Sequence, residues 1–257
     1  MSYIKPLIIL LLCGIASLAC EEKKKTKNDI TSEAVQTMNE NKKETLPELI
    51  VNKESFTKIE DLHFKHSVGG EAIKEETLVM VKYDSLFLEI KFECRNNPRM
   101  DQNHYTEDNS PMFNQEVFEL FISKGKEARE DYLEIQLNPN NALFLARINN
   151  QYKGNKEFNL DYIDTKTSGV EHSVAKDRDA RTWSGHLRIP LQLLQYPENT
   201  PDPVYRLNFY RIISQADHSV KDWSNNPENA TYACWSSTMA QRPQFHRPEY
   251  FGYLFLK

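Results

Sequence analysis

The chain has little of what most hydrolases, nucleotide enzymes and membrane-spanning proteins are built from. It holds 8 glycines and 4 cysteines in 257 residues. No G-x-S-x-G, H-E-x-x-H, P-loop or Rossmann fingerprint occurs, so the usual turns that carry a nucleophile or cradle a phosphate are missing. The absence of a CxxC pair or a Cys/His cluster removes a zinc framework. No apolar run is long enough to cross a bilayer as a helix. A basic stripe is lacking as well: the net charge is −5 with both signs interspersed, and nucleic acid is not an expected partner.

What is present begins with an address. Lys5 supplies a positive start, and Leu7 to Leu12 with Cys13 to Ala16 makes a short apolar segment. It ends in Ser17-Leu18-Ala19-Cys20, which looks like a bacterial lipobox with Ser17 where Leu is commoner. The reading is a signal peptide over residues 1–20 with lipidation at Cys20, an ordinary secretory signal being the alternative. Acyl chains on Cys20 would hold the protein at a membrane without spanning it. The acidic pair Glu21-Glu22 resembles surface-export signals of Bacteroidetes lipoproteins, which places the chain in the cell envelope, at the outer membrane and conceivably the cell surface. Residues 21–48 then read as a flexible polar linker, because alternating Lys, Glu, Asn and Thr cannot bury enough surface to offset ordering. The remainder, 49–257, is long enough for one well-cored domain. Cys94 and Cys234 lie in it, bridged or as two separate thiols.

Alternation is the dominant pattern there. Leu88, Ile90, Phe92 and Cys94 share one face of Leu86–Cys94. Phe118, Leu120 and Ile122 oppose Val117, Glu119 and Phe121, and Leu133, Ile135 and Leu137 oppose Tyr132, Glu134, Gln136 and Asn138. Period two bounded by turn residues marks half-buried antiparallel strands. Further strands are expected at Thr77–Tyr83, Ala142–Ile148, Trp183–Ile189, Tyr205–Ile213 and Tyr250–Leu256, with one helical turn at Pro190–Tyr196. Many short strands and few helices predict an all-β fold, an antiparallel β-sandwich of two sheets in the immunoglobulin-like manner. Long polar loops at Arg95–Pro111, Asn149–Asn159 and Gln215–Ala230 point to binding or disorder.

Two segments carry the functional signal: Met112-Phe113-Asn114-Gln115-Glu116-Val117-Phe118-Glu119-Leu120-Phe121, and Tyr232-Ala233-Cys234-Trp235 followed by Phe245-His246-Arg247-Pro248-Glu249-Tyr250-Phe251-Gly252. Each joins an aromatic to polar groups on β-type sequence. A sugar site needs both, a flat platform for the C–H face of a pyranose and planar polar groups for its hydroxyls. With the strand pattern between them, these segments make residues from about Val51 to Lys257 resemble the family 9 carbohydrate-binding modules and the wider DOMON-like sandwiches. The resemblance implies that Phe113 and Trp235 clamp a terminal sugar ring, although Phe113 stands where Trp is usual. It implies that Glu119 accepts vicinal hydroxyls and that Gln136 lies where the family often has a hydrogen-bonding residue. Arg211 falls on the apolar face of Asn208-Phe209-Tyr210-Arg211, so it must be ion-paired or line a cleft. Glu119 is one conceivable partner. Trp183 reads as core, and Trp223 as a loop aromatic that either caps the sandwich or touches sugar.

No cofactor is expected from motifs. Asp101, Asn103, Glu107 and Asp108 offer the oxygens calcium prefers, and family 9 modules can carry a structural calcium; the plainer reading is a solvated acidic loop, since the spacing is not an EF-hand. Glu116 and Glu119 have opposite strand parity, which argues against a catalytic pair. The expected function is non-catalytic saccharide binding by a membrane-anchored lipoprotein, in support of polysaccharide capture or catabolism. The alternatives are a haem-binding DOMON-like redox domain using Met100, Met112, Met239, His104 or His246 as axial ligands, an accessory part or agent of glycoside hydrolysis, and a structural envelope protein without ligand.

Overall fold

Alternating apolar residues build two facing sheets. A computed structural model describes residues 45–257 apart from 60–63, 98, 152–158, 198 and 218–228. The lipobox, most of the linker and Trp223 lie outside the described residues. The larger sheet holds β1 (Glu48–Val51), β3 (Lys65–His66), β6 (Val117–Lys124), β7 (Asp131–Leu137), β8 (Leu143–Asn149), β9 (Asn159–Tyr162), β12 (Val204–Ser214), β13 (Ala230–Cys234) and β14 (Gly252–Leu256). Its order is β1-β14-β12-β6-β7-β8-β9. The long β12 also carries β13 beside its second half, and β13 in turn carries β3. The smaller sheet holds β2 (Thr57–Lys58), β4 (Thr77–Tyr83), β5 (Phe87–Cys94), β10 (Glu171–Asp177) and β11 (Thr182–Pro190), in the order β10-β11-β5-β4-β2. All strand pairs are antiparallel except β1 with β14. The fold is a β-sandwich, as the period-two pattern predicts.

The space between the sheets is filled from strand faces of one parity. Phe92 of β5 stacks on Phe118 of β6 at 3.8 Å, and Trp183 of β11 meets Phe92 edge-on at 5.2 Å. Gly185 of β11 is required here, because a Cβ at that position would lie 2.2 Å from the Phe92 ring. At one end of this core Arg211 is fully buried and its Nε donates to Glu116 Oε1 at 2.9 Å. The same carboxylate accepts the Trp183 indole N–H at 3.0 Å and the Ser214 amide at 3.1 Å. Arg211 also donates to the carbonyls of Glu76 and Arg95. Every lobe of this buried charge pair is answered, as a buried pair requires.

The half-buried expectation fails for the middle strands. β6 and β12 are buried along their whole length, on both faces. The outer face of the large sheet bears a second apolar cluster that includes Met112, Phe121, Tyr132, Phe144, Tyr210, Phe245 and Phe251. Residues 100–116 and 236–251 supply its cover, and polar residues on the outward face hold them down. Arg206 donates to the carbonyls of Phe251 at 2.9 Å and Glu249 at 3.2 Å, Asn208 to Ser236 at 2.8 Å, and the Tyr210 hydroxyl to Phe245 at 2.8 Å. Asn138 of the loop after β7 donates to the Tyr105 carbonyl at 2.8 Å, and Asn103 to that of Glu116 at 2.8 Å.

Three further features bear on the expectations. Pro190–Tyr196 forms successive turns rather than a helix. The compact unit begins at Leu46, ahead of residue 49, because the Pro47 carbonyl accepts the Tyr253 amide and Leu49 is core. Cys94 and Cys234 are separate buried thiols in different apolar clusters, one of the two arrangements left open by the sequence, and burial pushes the Cys94 thiol up to about 12.

Candidate functional site

A cleft of about 190 Å³ opens on the outer face of the large sheet. The strands supply its floor by register. Glu119 of β6 lies opposite Gln136 of β7, and Phe121 opposite Glu134, so Glu119 and Glu134 sit diagonally on neighbouring strands and point the same way. Phe144 of β8, Ile212 of β12 and Tyr232 of β13 continue the floor. Phe113, 42% exposed on the turn Met112–Asn114, stands on the rim while its neighbour Met112 is anchored in the outer cluster. Pro243, Gln244, Phe245 and His246 form the opposite wall.

The electrostatics are unusual for a sheet face. Glu119 and Glu134 are both buried, and among the described residues the cleft lining contains neither Lys nor Arg. Burial pushes the Glu134 carboxyl up to about 8 against a hydrogen bond from the Gln136 amide. Burial, and then the charge of Glu134, raise Glu119 well above the usual carboxylate range. Two like charges held together in low dielectric cannot both ionise cheaply, so the pair retains protons near neutrality. Glu119 Oε1 and Gln136 Oε1 have no hydrogen-bond partner among the described residues. His246 shares a hydrogen bond with the Tyr132 hydroxyl at 2.6 Å, and burial pushes its imidazole down to about 4, which leaves the ring neutral at pH 7. The cleft therefore combines aromatic walls with an unsatisfied carboxyl at its base.

Of the residues singled out from sequence, Phe113 and Glu119 line this cleft. Gln136 is buried behind it and orients Glu134 through its amide. Two assignments are corrected. Trp235 is 2% exposed and belongs to the core between the sheets, 6.0 Å from Phe209. A Cβ on Gly252 would fall 2.5 Å from its ring, so the Phe251-Gly252 step exists to admit that indole. Arg211 also faces inward, and its partner is Glu116 rather than Glu119. Strand parity could have found the residue that replaces Trp235. Along β13, Tyr232 and Cys234 share one face and Ala233 and Trp235 the other, so the aromatic that reaches the cleft is Tyr232. Glu134 carried a signal too, as the acidic residue on the polar face of β7.

The acidic loop does not fit calcium. Asp101 accepts from Arg178 at 2.7 Å and from Lys176 at 3.5 Å, and Asp108 accepts the Leu143 amide at 2.9 Å and the Thr165 hydroxyl at 2.7 Å. Oxygens engaged by cations and N–H or O–H donors are not left to converge on a metal. Among the described residues no group of three or more His, Cys, Asp or Glu could hold one. The sulfurs considered for haem are dispersed: Met100 in the core between sheets, Met112 in the outer cluster and Met239 exposed.

No family model matches the chain. An extracellular protein of Arthroderma benhamiae is 25% identical over 180 residues, which is 66% of this chain and 80% of that one. A proposed carbohydrate-binding protein from Bacteroides uniformis aligns in structure over 83% of this chain and 100% of its own, with a TM-score of 0.61 and 15% identity. A family 9 carbohydrate-binding module from Caldicellulosiruptor kristjanssonii, in complex with cellotriose, covers 82% of this chain and 94% of its own at a TM-score of 0.48 and 14% identity. The glucose complex of that module gives 0.49, over 82% and 96% of the two chains. At these identities the likeness is one of fold.

Proposed function

We propose that this protein binds a saccharide without transforming it, in the cleft on the outer face of the large sheet. The observation that carries the reading is Glu119 Oε1, buried and without a hydrogen-bond partner among the described residues at the base of an aromatic cleft. A buried polar atom costs free energy until something hydrogen-bonds to it. A protonated carboxyl both donates and accepts, as sugar hydroxyls do, and Phe113 and Tyr232 offer ring faces for C–H stacking. The carbohydrate-binding descriptions of the structural neighbours support the same ligand class. Isothermal titration and a glycan array with a fragment starting at Leu46 test it. Binding should appear for at least one sugar and weaken in Glu119→Gln. An array without hits, together with flat titrations, overturns the reading.

A hydrolase is the second reading, since two neighbouring carboxyls are the equipment of glycoside hydrolysis. Acid–base work separates the two groups, one kept charged and one neutral. Here both are pushed the same way, and among the described lining residues no cation holds one ionised. Release of reducing ends from a bound glycan would favour the hydrolase.

The anchoring belongs to the same proposal. Cys20 tethers the protein to the envelope, and the cleft retains glycan for a cell that consumes it. Cys20→Ala should lose labelled palmitate and leave the membrane fraction. Retention of label in that variant would sink the lipid anchor while leaving the cleft untouched.

A further inference from the structure

The cleft is acidic to a degree that a neutral sugar does not need. Two carboxyls share its base, and among the described residues its lining contains no cationic side chain. A neutral ligand leaves that pair as it is in the free protein, with protons retained to relieve repulsion. A ligand carrying a protonated amine changes the balance, because one ammonium offers three donors and a charge to both carboxylates at once. The walls point the same way. Phe113, Phe121, Phe144, Tyr232 and Phe245 are five aromatic rings around the acids, and ring faces attract desolvated cations. Glu119 Oε1 is buried and, among the described residues, has no partner at the position such a donor would fill.

We propose that the ring recognised in this cleft is an amino sugar, bound as its ammonium form with the nitrogen between Glu119 and Glu134. The inference rests on the saccharide-binding reading and narrows it to one chemical class. It also excludes uronic and sulfated sugars, whose anions would face two acids with no counter-charge. The proton balance is explicit: a carboxyl that holds a proton in the free protein gives it to solvent, and the resulting carboxylate pairs with the incoming ammonium. The other groups around Glu119 are Gln136 and Glu134 from β7, Tyr210 from β12, Tyr232 from β13 and His246 from the wall above. With His246 neutral, none of these supplies a competing positive charge at pH 7.

The test is titration calorimetry of the full chain with glucosamine, glucose, N-acetylglucosamine and glucuronate, repeated in two buffers of different ionisation enthalpy. Glucosamine should bind about tenfold more tightly than glucose or N-acetylglucosamine, a difference of about 1.4 kcal/mol. Glucuronate should not bind, and glucosamine binding should release protons. Glu134→Gln removes an ionisable carboxyl while keeping its size and shape, so it should fold and should bring the glucosamine-to-glucose ratio close to one. If glucose equals or exceeds glucosamine in a Glu119-dependent way, the amino-sugar inference is overturned and saccharide binding stands. If none of the four sugars binds, the amino-sugar inference is overturned, and the glycan array decides whether saccharide binding falls with it.

Discussion

Glu116 and Glu119 are three positions apart and meet opposite fates. Glu116 turns into the core between the sheets, where Arg211, the Trp183 indole and the Ser214 amide answer its oxygens. Glu119 turns out, onto a face where its nearest charged neighbour is another acid. The first carboxylate is as buried as the second. The contrast is therefore one of compensation rather than depth, and it separates a charge used to hold the fold from a charge left available to a ligand. The same division applies to aromatics: Trp235 is spent inside the sandwich, whereas Phe113 and Tyr232 face the cleft.

The hardest way to break the comparison is to orphan Glu116. Arg211→Met should cost about 3–5 kcal/mol of stability, since it strands a buried carboxylate; urea denaturation measures it. A loss below about 1 kcal/mol would mean that the pair holds little. Trp235→Ala should cost a comparable amount, about 3–5 kcal/mol, by leaving a cavity. The folded remainder should bind sugar with unchanged affinity, so a specific loss of binding at constant melting temperature would return Trp235 to the site.

On the outer face the sign reverses. Glu134→Gln should raise stability at pH 7.5 by about 1–3 kcal/mol, because it removes the desolvation penalty of an acid. The linkage supports a pH test. Glu134 holds its proton up to about 8 when folded and up to the ordinary 4.5 when unfolded, so the folded state carries the extra proton between these values. Stability from this group is fully present below about 4.5 and is lost as pH rises through about 8. His246 works oppositely: pushed down to about 4 from 6.5, it loses stability as pH falls across that span. The decline is cleanest from about pH 6.5 to 8, where melting temperature should fall in the native protein and fall less steeply in Glu134→Gln, in which Glu119 is still raised by burial. The smallest effect belongs to the rim. Phe113→Ala should leave the melting temperature unchanged and weaken sugar binding by about tenfold, the lower end of ring stacking on a base.

Much of the sandwich was legible because its central strands alternate. β4 coincides with the expected Thr77–Tyr83, and β5, β6, β7, β8, β11, β12 and β14 lie within a residue or two of the expected ranges. β10 escaped because its residues are alternately exposed and half-buried, with Val174 the only large aliphatic residue in Glu171–Asp177. β1, β2 and β3 are too short for a period to show. The site was half legible. Phe113, Glu119 and Gln136 were singled out, but Glu134 read only as one of the polar-face residues of its strand. Local alternation cannot reveal that residues from 236 to 251 return to cover them. Trp235 was misassigned for a different reason: a large aromatic beside polar residues serves a core as well as a platform, and only parity along β13 separates the two.

The pairing of β1 with β14 sets Glu48 beside Tyr253 and Val51 beside Leu256. A contact spanning nearly the whole domain has a high loop-closure cost and is expected late in folding. The first strand to be synthesised thus waits for the last, and the sandwich cannot complete itself progressively as the chain emerges. Until β1 docks, one side of β14 offers free amides and carbonyls with Leu254 and Leu256 close by, a template for another chain's strand. A shortened form that starts inside β1 would keep that side open permanently, and its expected failure is aggregation rather than weak binding.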